Sequence, residues 1–133
     1  MKVLSLFDGI SCGMLALQRA GIPVECYDAF EIDKYAVTVS KRNFPVIVHH
    51  GNVYDGDFTQ FKGYDLLLGG SPCTYWSIAK KDREIDCDGE GFRLFQEYVR
   101  ALEESGCQYF LYENNYSVHQ NIKDEITRVL GVE

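Results

Sequence analysis

The chain has 133 residues, enough for one domain with a single core and too few for two ordinary ones. Its 46% hydrophobic content excludes wholesale disorder, and no apolar run is long enough to span a bilayer. The 20 acidic and 13 basic residues leave a net charge of -7, which makes the chain a poor non-specific binder of nucleic acid, since Lys and Arg supply most of that affinity.

Met1-Lys2 runs straight into Val3-Leu4-Ser5-Leu6-Phe7, too short and too uniform for a signal peptide, so the sequence predicts a first strand in a cytoplasmic protein. Strands are expected at 2–7, 24–30, 47–49, 65–68 and 109–112, each short and rich in β-branched, Leu or aromatic residues. Helices are expected at 13–20, closed by Gly21, and at 34–43, opened by Asp33 as N-cap. A third, at 92–105, carries Phe92, Phe95, Val99 and Leu102 on one face, and a fourth, at 118–130, repeats apolar residues at helical spacing. Strand and helix alternating in this way predict βαβ units and a mostly parallel sheet in one α/β domain over residues 1–133. The polar, glycine-bearing stretch from Ser77 to Gly91 reads as a mobile loop. Five cysteines, an odd number without a CxxC pair, argue against a disulfide framework or zinc site and for a reducing compartment.

Several strand ends carry residues with chemical potential. Phe7-Asp8-Gly9-Ile10-Ser11-Cys12-Gly13 lies between the first strand and first helix, where glycines admit a ligand close to the backbone and free helix N–H groups receive it. It lacks full GxGxxG spacing, and a tight turn packing helix on strand explains it nearly as well. Glu31, about 20 residues further, stands where a carboxylate accepts from ribose hydroxyls; alone, it is equally compatible with a solvated charge. Gly51-Asn52-Val53 offers an amide to an adenine edge or forms a plain turn. In Gly69-Gly70-Ser71-Pro72-Cys73 the glycines and proline present a thiol past a buried strand, the setting of a nucleophile rather than of a core cysteine. Glu113, in Tyr112-Glu113-Asn114-Asn115, ends the last strand, where a carboxyl group can protonate a ring nitrogen if Cys73 lies on a neighbouring strand. Asp86-Cys87-Asp88-Gly89-Glu90 has incomplete spacing for a calcium loop, and His49 and His50 lack a partner at ligand spacing, so no metal site is expected.

In this order the motifs resemble the amino-terminal half of the DNA cytosine-5 methyltransferases. Phe7-Asp8-Gly9, Glu31, Asn43-Phe44-Pro45, Gly51-Asn52-Val53, Gly69 to Cys73 with Ser77, Arg93-Leu94-Phe95 and Glu113-Asn114 match successive family motifs, and the resemblance covers nearly the whole chain. It implies a Rossmann-like fold dependent on S-adenosylmethionine, double-stranded DNA as partner, and a place in DNA methylation or restriction-modification. Phe7 and Gly9 would flank the methionine and adenosine parts of the cofactor, Glu31 would hold its ribose, and Ile32, Asn52 and Leu94 would border its adenine, with Asp8, Val53 and Pro72 also at the cofactor. Cys73 would attack C6 of a flipped cytosine and Glu113 would hold N3 and the exocyclic amine, with Ser71, Ser77 and Asn114 near the base.

Three departures stand against the family pattern. Asn52 replaces the usual Asp, and Asn115 replaces the Val that usually follows Glu-Asn. The third is that the later arginine-bearing motif, the target-recognition region and the final cofactor motif have no counterpart before Glu133. A sheet lacking later strands predicts an unpaired edge, and hence self-association or a complementing carboxy-terminal chain. Trp76, unusual in a loop expected to close over the base, either packs on DNA, seals the pocket or packs against the base of its own loop. Two other readings stay open: a non-catalytic protein that keeps the fold and acts by association, and methylation of RNA, which a related branch of the family performs. A dehydrogenase would explain Glu31 but leave Cys73 and Glu113 without purpose.

Overall fold

The computed structural model describes residues 1–132 and, of Cys73, the backbone alone. The five apolar runs form strands β1 (Lys2–Leu6), β2 (Cys26–Phe30), β3 (Val48–His50), β4 (Leu66–Gly69) and β5 (Tyr109–Tyr112). All pair in parallel, in the order β3-β2-β1-β4-β5. Helices α1 (Cys12–Arg19), α2 (Lys34–Asn43), α3 (Glu90–Ser105) and α4 (Gln120–Leu130) connect or follow them. The chain works outward from β1 to β3, then returns to place β4 on the other side of β1. That reversal opens a crevice beyond the strands' carboxyl ends, where open α/β sheets bind ligands.

Alternation along β1 divides the core. Val3 packs with Met14, Leu17, Tyr27, Ala29 and Ile47 on the α1 face. Leu4 and Leu6 pack on the opposite face with Leu67, Leu94, Tyr98 and Ala101, beside an aromatic group from the two 3-10 turns at Val53–Asp55 and Phe58–Phe61. Asp33 caps α2 as expected, accepting from the N–H groups of Tyr35 and Ala36 at 2.8 and 3.1 Å. His50 serves packing: its Nε2 meets Asp28 at 2.9 Å and its ring stacks on Phe30 with centroids 4.8 Å apart.

Boundaries differ from expectation where a distant group decides them. Helix α3 starts at Glu90 rather than Phe92, because the Glu84 carboxylate accepts from the N–H groups of Glu90 and Gly91, both at 2.9 Å. Helix α4 starts at Gln120, and Val118 turns inward instead of opening it. Ile47 precedes β3 and is buried beneath the α1 face.

The segment from Ser77 to Gly91 is tied down. Arg83 donates to the Ser117 carbonyl at 2.7 Å, and the Glu84 N–H donates to the Tyr75 carbonyl at 2.9 Å. Trp76 is 0% exposed, packed with Phe92, Phe95, Val118 and Ile122 between α3 and α4. The indole therefore faces neither the cavity nor an outer surface that DNA could reach. Gly91 makes room for it, since a Cβ there would lie 2.5 Å from Nε1. At the far side, β5 pairs only with β4 among the described residues, and Tyr109 and Leu111 are 55% and 57% exposed. No helix of the described chain is long and apolar enough to cross a membrane.

Because the indole bridges two helices and a loop, Trp76→Ala is expected to lower unfolding stability by about 3–5 kcal/mol. Urea titration followed by circular dichroism measures it, and a loss under about 1 kcal/mol would contradict this packing.

Candidate active site

Five parallel strands bring five loops to one edge of the sheet. The loops after β1, β2, β3 and β4, with α3, line a cavity of about 550 Å³. Phe7 follows β1, Glu31 and Ile32 follow β2, and Asn52 and Val53 follow β3; all line it. Pro72 beyond β4 and Leu94 on α3 close the other side. Seven of the nine residues expected at a cofactor thus meet around one space. Asp8 and Gly9 are not part of its lining.

Gly9 acts through its backbone. Its N–H donates to Glu31 Oε1 at 2.8 Å, while Glu31 Oε2 accepts from the N–H groups of Ile32 and Asp33 at 2.8 and 3.0 Å. The carboxylate therefore fastens the β1 loop to the β2 loop. A carboxylate has about four acceptor positions, so three backbone bonds leave capacity for one ligand hydroxyl. The carboxylate of Asp8, also expected at the cofactor, turns beneath the loop, accepting from Ser5 Oγ at 2.7 Å, from Tyr27 Oη at 2.6 Å and from Ser11 Oγ. Three hydroxyls on that side leave it little reason to face the cavity. Asn52 Oδ1 caps the following 3-10 turn through the Tyr54 N–H at 3.0 Å, which leaves the two amide N–H bonds and one oxygen lone pair for a ligand edge.

The register between β4 and β5 pairs Gly69 with Tyr112, so the Pro72-Cys73 turn and Glu113 issue side by side. The Glu113 N–H donates to the Gly69 carbonyl at 2.9 Å. Gly70 permits this approach: a Cβ there would lie 2.0 Å from the Glu113 carbonyl oxygen and 3.4 Å from Oε2. Cys73 opens the 3-10 turn Cys73–Tyr75; its thiol lies outside what is described. Glu113 is exposed at the end of β5.

Of the three residues expected near a substrate base, Ser71 and Asn114 converge on Tyr112. Ser71 Oγ lies 2.7 Å from Tyr112 Oη, and Asn114 Nδ2 donates to it at 3.3 Å. Burial raises the Tyr112 phenol above its ordinary pKa, which keeps it protonated as the hub of these bonds. Asn115 accepts from the Ser117 N–H and hydroxyl, so this departure from the family pattern serves a local turn. Ser77, with Thr74, Tyr75, Ala79 and Lys80, lines a second groove of about 610 Å³. Thr74 and Tyr75 border both spaces, so the two share a wall. Sequence reasoning missed Tyr75 and Tyr112; both stand within two residues of a flagged motif, and that proximity was the available signal.

The family profile described as C-5 cytosine-specific DNA methylase matches residues 1–130. The orphan methyltransferase M.SPRI of Bacillus phage SPR is 36% identical over 116 residues, covering 86% of this chain and 26% of that protein. The type II methyltransferase M.HgiCII of Herpetosiphon aurantiacus is 34% identical over 116 residues, 85% of this chain and 25% of its own length. Among solved structures, a DNMT2 mutant of Spodoptera frugiperda superposes with a TM-score of 0.70 at 23% identity, over 96% of this chain and 40% of that one. The Dnmt2 methyltransferase of S. pombe does so at 0.63 and 17%, over 96% and 39%. The fold is thus Rossmann-like, of the methyltransferase kind. The chain belongs to the C-5 cytosine-specific DNA methylase family, and it spans about a quarter of the length of the curated relatives it matches.

Glu31→Gln keeps the side chain's length but sets an N–H against backbone donors. It is expected to cost about 1–2 kcal/mol in urea unfolding, and an unchanged midpoint would contradict the three-bond junction.

Proposed function

We propose that this chain is the cofactor- and nucleophile-bearing part of a DNA cytosine-5 methyltransferase that uses S-adenosylmethionine. The observation that carries this reading is the β4–β5 register, which sets the Pro72-Cys73 turn beside Glu113 at the rim of a cavity lined by Glu31 and Asn52. Membership of the family supports it.

The residues present fit S-adenosylmethionine. Phe7, Ile32, Val53, Pro72 and Leu94 give apolar walls for the adenine, Glu31 an acceptor for a ribose hydroxyl, and Asn52 a mixed donor and acceptor for the base edge. When bound, the cofactor supplies an electrophilic methyl group.

Cytosine C5 is a poor nucleophile, which is why a covalent route is needed. In our reading the Cys73 thiolate gives its electron pair to C6. Glu113 delivers a proton to N3, so the electrons pushed out of the ring double bond make C5 nucleophilic. As C5 gains a methyl group the N3 proton returns to Glu113; a base then removes the proton remaining on C5, the C5–C6 double bond reforms and the thiolate leaves. The base must be flipped out of the duplex to reach Cys73. The groove bordered by Tyr75, Ser77 and Lys80, sharing a wall with the cavity, is where we place it.

Double-stranded DNA is the substrate we favour. The net charge of -7 fits a piece that leaves much of the phosphate contact to a complementing chain or a second copy. The unpaired outer side of β5, with Tyr109 and Leu111 exposed, is a place for such a chain to join. We place the enzyme in the cytoplasm, in a restriction-modification role; the likeness to a type II methyltransferase supports that role.

Transfer of a radiolabelled methyl group to unmethylated duplex DNA, with transfer RNA as a second substrate, tests the reading in the chain alone and with a complementing carboxy-terminal half. Incorporation into DNA that falls more than about a thousandfold in Cys73→Ala is expected. Cofactor binding without transfer in any combination would point to an association protein, and labelling of RNA alone would replace the substrate.

A further inference from the structure

We propose that Tyr27, which does not line the cavity, is a positioning residue for the cofactor and acts through Asp8. The proposal rests on the reading that the cavity takes S-adenosylmethionine.

The loop between β1 and α1 is held in an unfavourable shape. Phe7 and Ser11, with φ of 56° and 69°, are the only non-glycine residues of positive φ among the described residues. Such a conformation is disfavoured for a residue with a side chain and lasts only where the surroundings impose it. Phe7 is also the cavity wall at the end of β1. The strain therefore sits in the segment that shapes the ligand's space.

Asp8, the residue after Phe7, is what imposes it. Its carboxylate receives only hydroxyls: Ser5 at 2.7 Å, Tyr27 at 2.6 Å, and Ser11. Ser11 occupies the N-cap position of α1 but makes no cap bond with its side chain; its hydroxyl goes to Asp8 and lies 2.5 Å from Ser40 Oγ on α2. Both strained residues are thus adjacent or bonded to a carboxylate anchored from β1, β2 and α1.

Tyr27 is the largest of the three anchors. It is 1% exposed, on the α1 face of β2. Its burial and the nearby Asp8 charge hold the phenol well above its ordinary pKa of 10.0, so it remains a donor at every working pH. Gly13 is shaped around it: a Cβ there would lie 2.9 Å from Tyr27 Oη and 2.8 Å from Leu68 Cδ1. The sequence reading took the glycines of this turn as room for a ligand. At Gly13 the room belongs to the phenol.

Removing the Tyr27 hydroxyl leaves the ring in the core, takes one of three donors from Asp8, and lets Phe7 relax away from the geometry that receives the ligand. The test is calorimetric titration of the chain with S-adenosylhomocysteine, as wild type, Tyr27→Phe, Ser5→Ala and Tyr98→Phe. Tyr98 is the control: an equally buried phenol on the other face of the sheet, bonded to the carbonyls of Leu67 and Leu111. Tyr27→Phe is expected to weaken affinity about tenfold, the scale of one hydrogen bond to a charged group, and Ser5→Ala somewhat less. Tyr98→Phe is expected to lower Tm by a comparable amount while keeping affinity within about twofold. In an Asp8→Asn background, Tyr27→Phe should add little further loss, since both act at one carboxylate. Wild-type affinity in folded Tyr27→Phe and Ser5→Ala, or equal losses in Tyr27→Phe and Tyr98→Phe, overturns the proposal alone. Failure of the wild type to bind S-adenosylhomocysteine overturns the cavity reading and this proposal with it.

Discussion

Strand β1 pairs in parallel with β2 on one side and β4 on the other, and the site follows from that arrangement. Parallel pairing puts every carboxyl end at the same edge, and the reversal of strand order at β1 parts the loops there. Glu31 then joins the first two loops with three backbone bonds, while Gly70 lets the fourth and fifth strand ends approach. Antiparallel placement of either neighbour would send Glu31 or the Pro72-Cys73 turn to the opposite end of the sheet.

The architecture was legible because hydrophobic periodicity is a local property. The short apolar run Val3-Leu4-Ser5-Leu6 and the apolar stripe along α3 specify strand and helix without knowledge of neighbours. Element ends were less legible where a remote side chain sets them. The start of α3 depends on Glu84, six residues before Glu90, and no capping residue adjoins the helix to announce it. The residues around the cavity were legible through strand-end position and family motif. Which way each side chain faces was not. Asp8 reads as a ligand contact until its three hydroxyl partners from β1, β2 and α1 are brought beneath it by folding.

Tyrosine accounts for most of what the sequence concealed. Tyr27, Tyr98 and Tyr112 occupy apolar positions in strands or a helix and read simply as core. Each has a hydroxyl that joins elements distant in sequence: Tyr27 to the first loop, Tyr98 to the backbones of β4 and β5, Tyr112 to Ser71 and Asn114. A residue with an apolar body and a polar tip can serve packing and connection at once, and only three-dimensional proximity reveals the second use.

The cap on α3 has a mechanical meaning. Glu84 occupies the amide donors at the helix start, and eight residues earlier the same segment plants Trp76 between α3 and α4. Displacement of the segment would withdraw a carboxylate from the helix and an indole from its socket together. Loop travel and fraying of α3 are therefore coupled, and since Leu94 sits one turn into that helix, the segment's position is transmitted to the wall of the cavity.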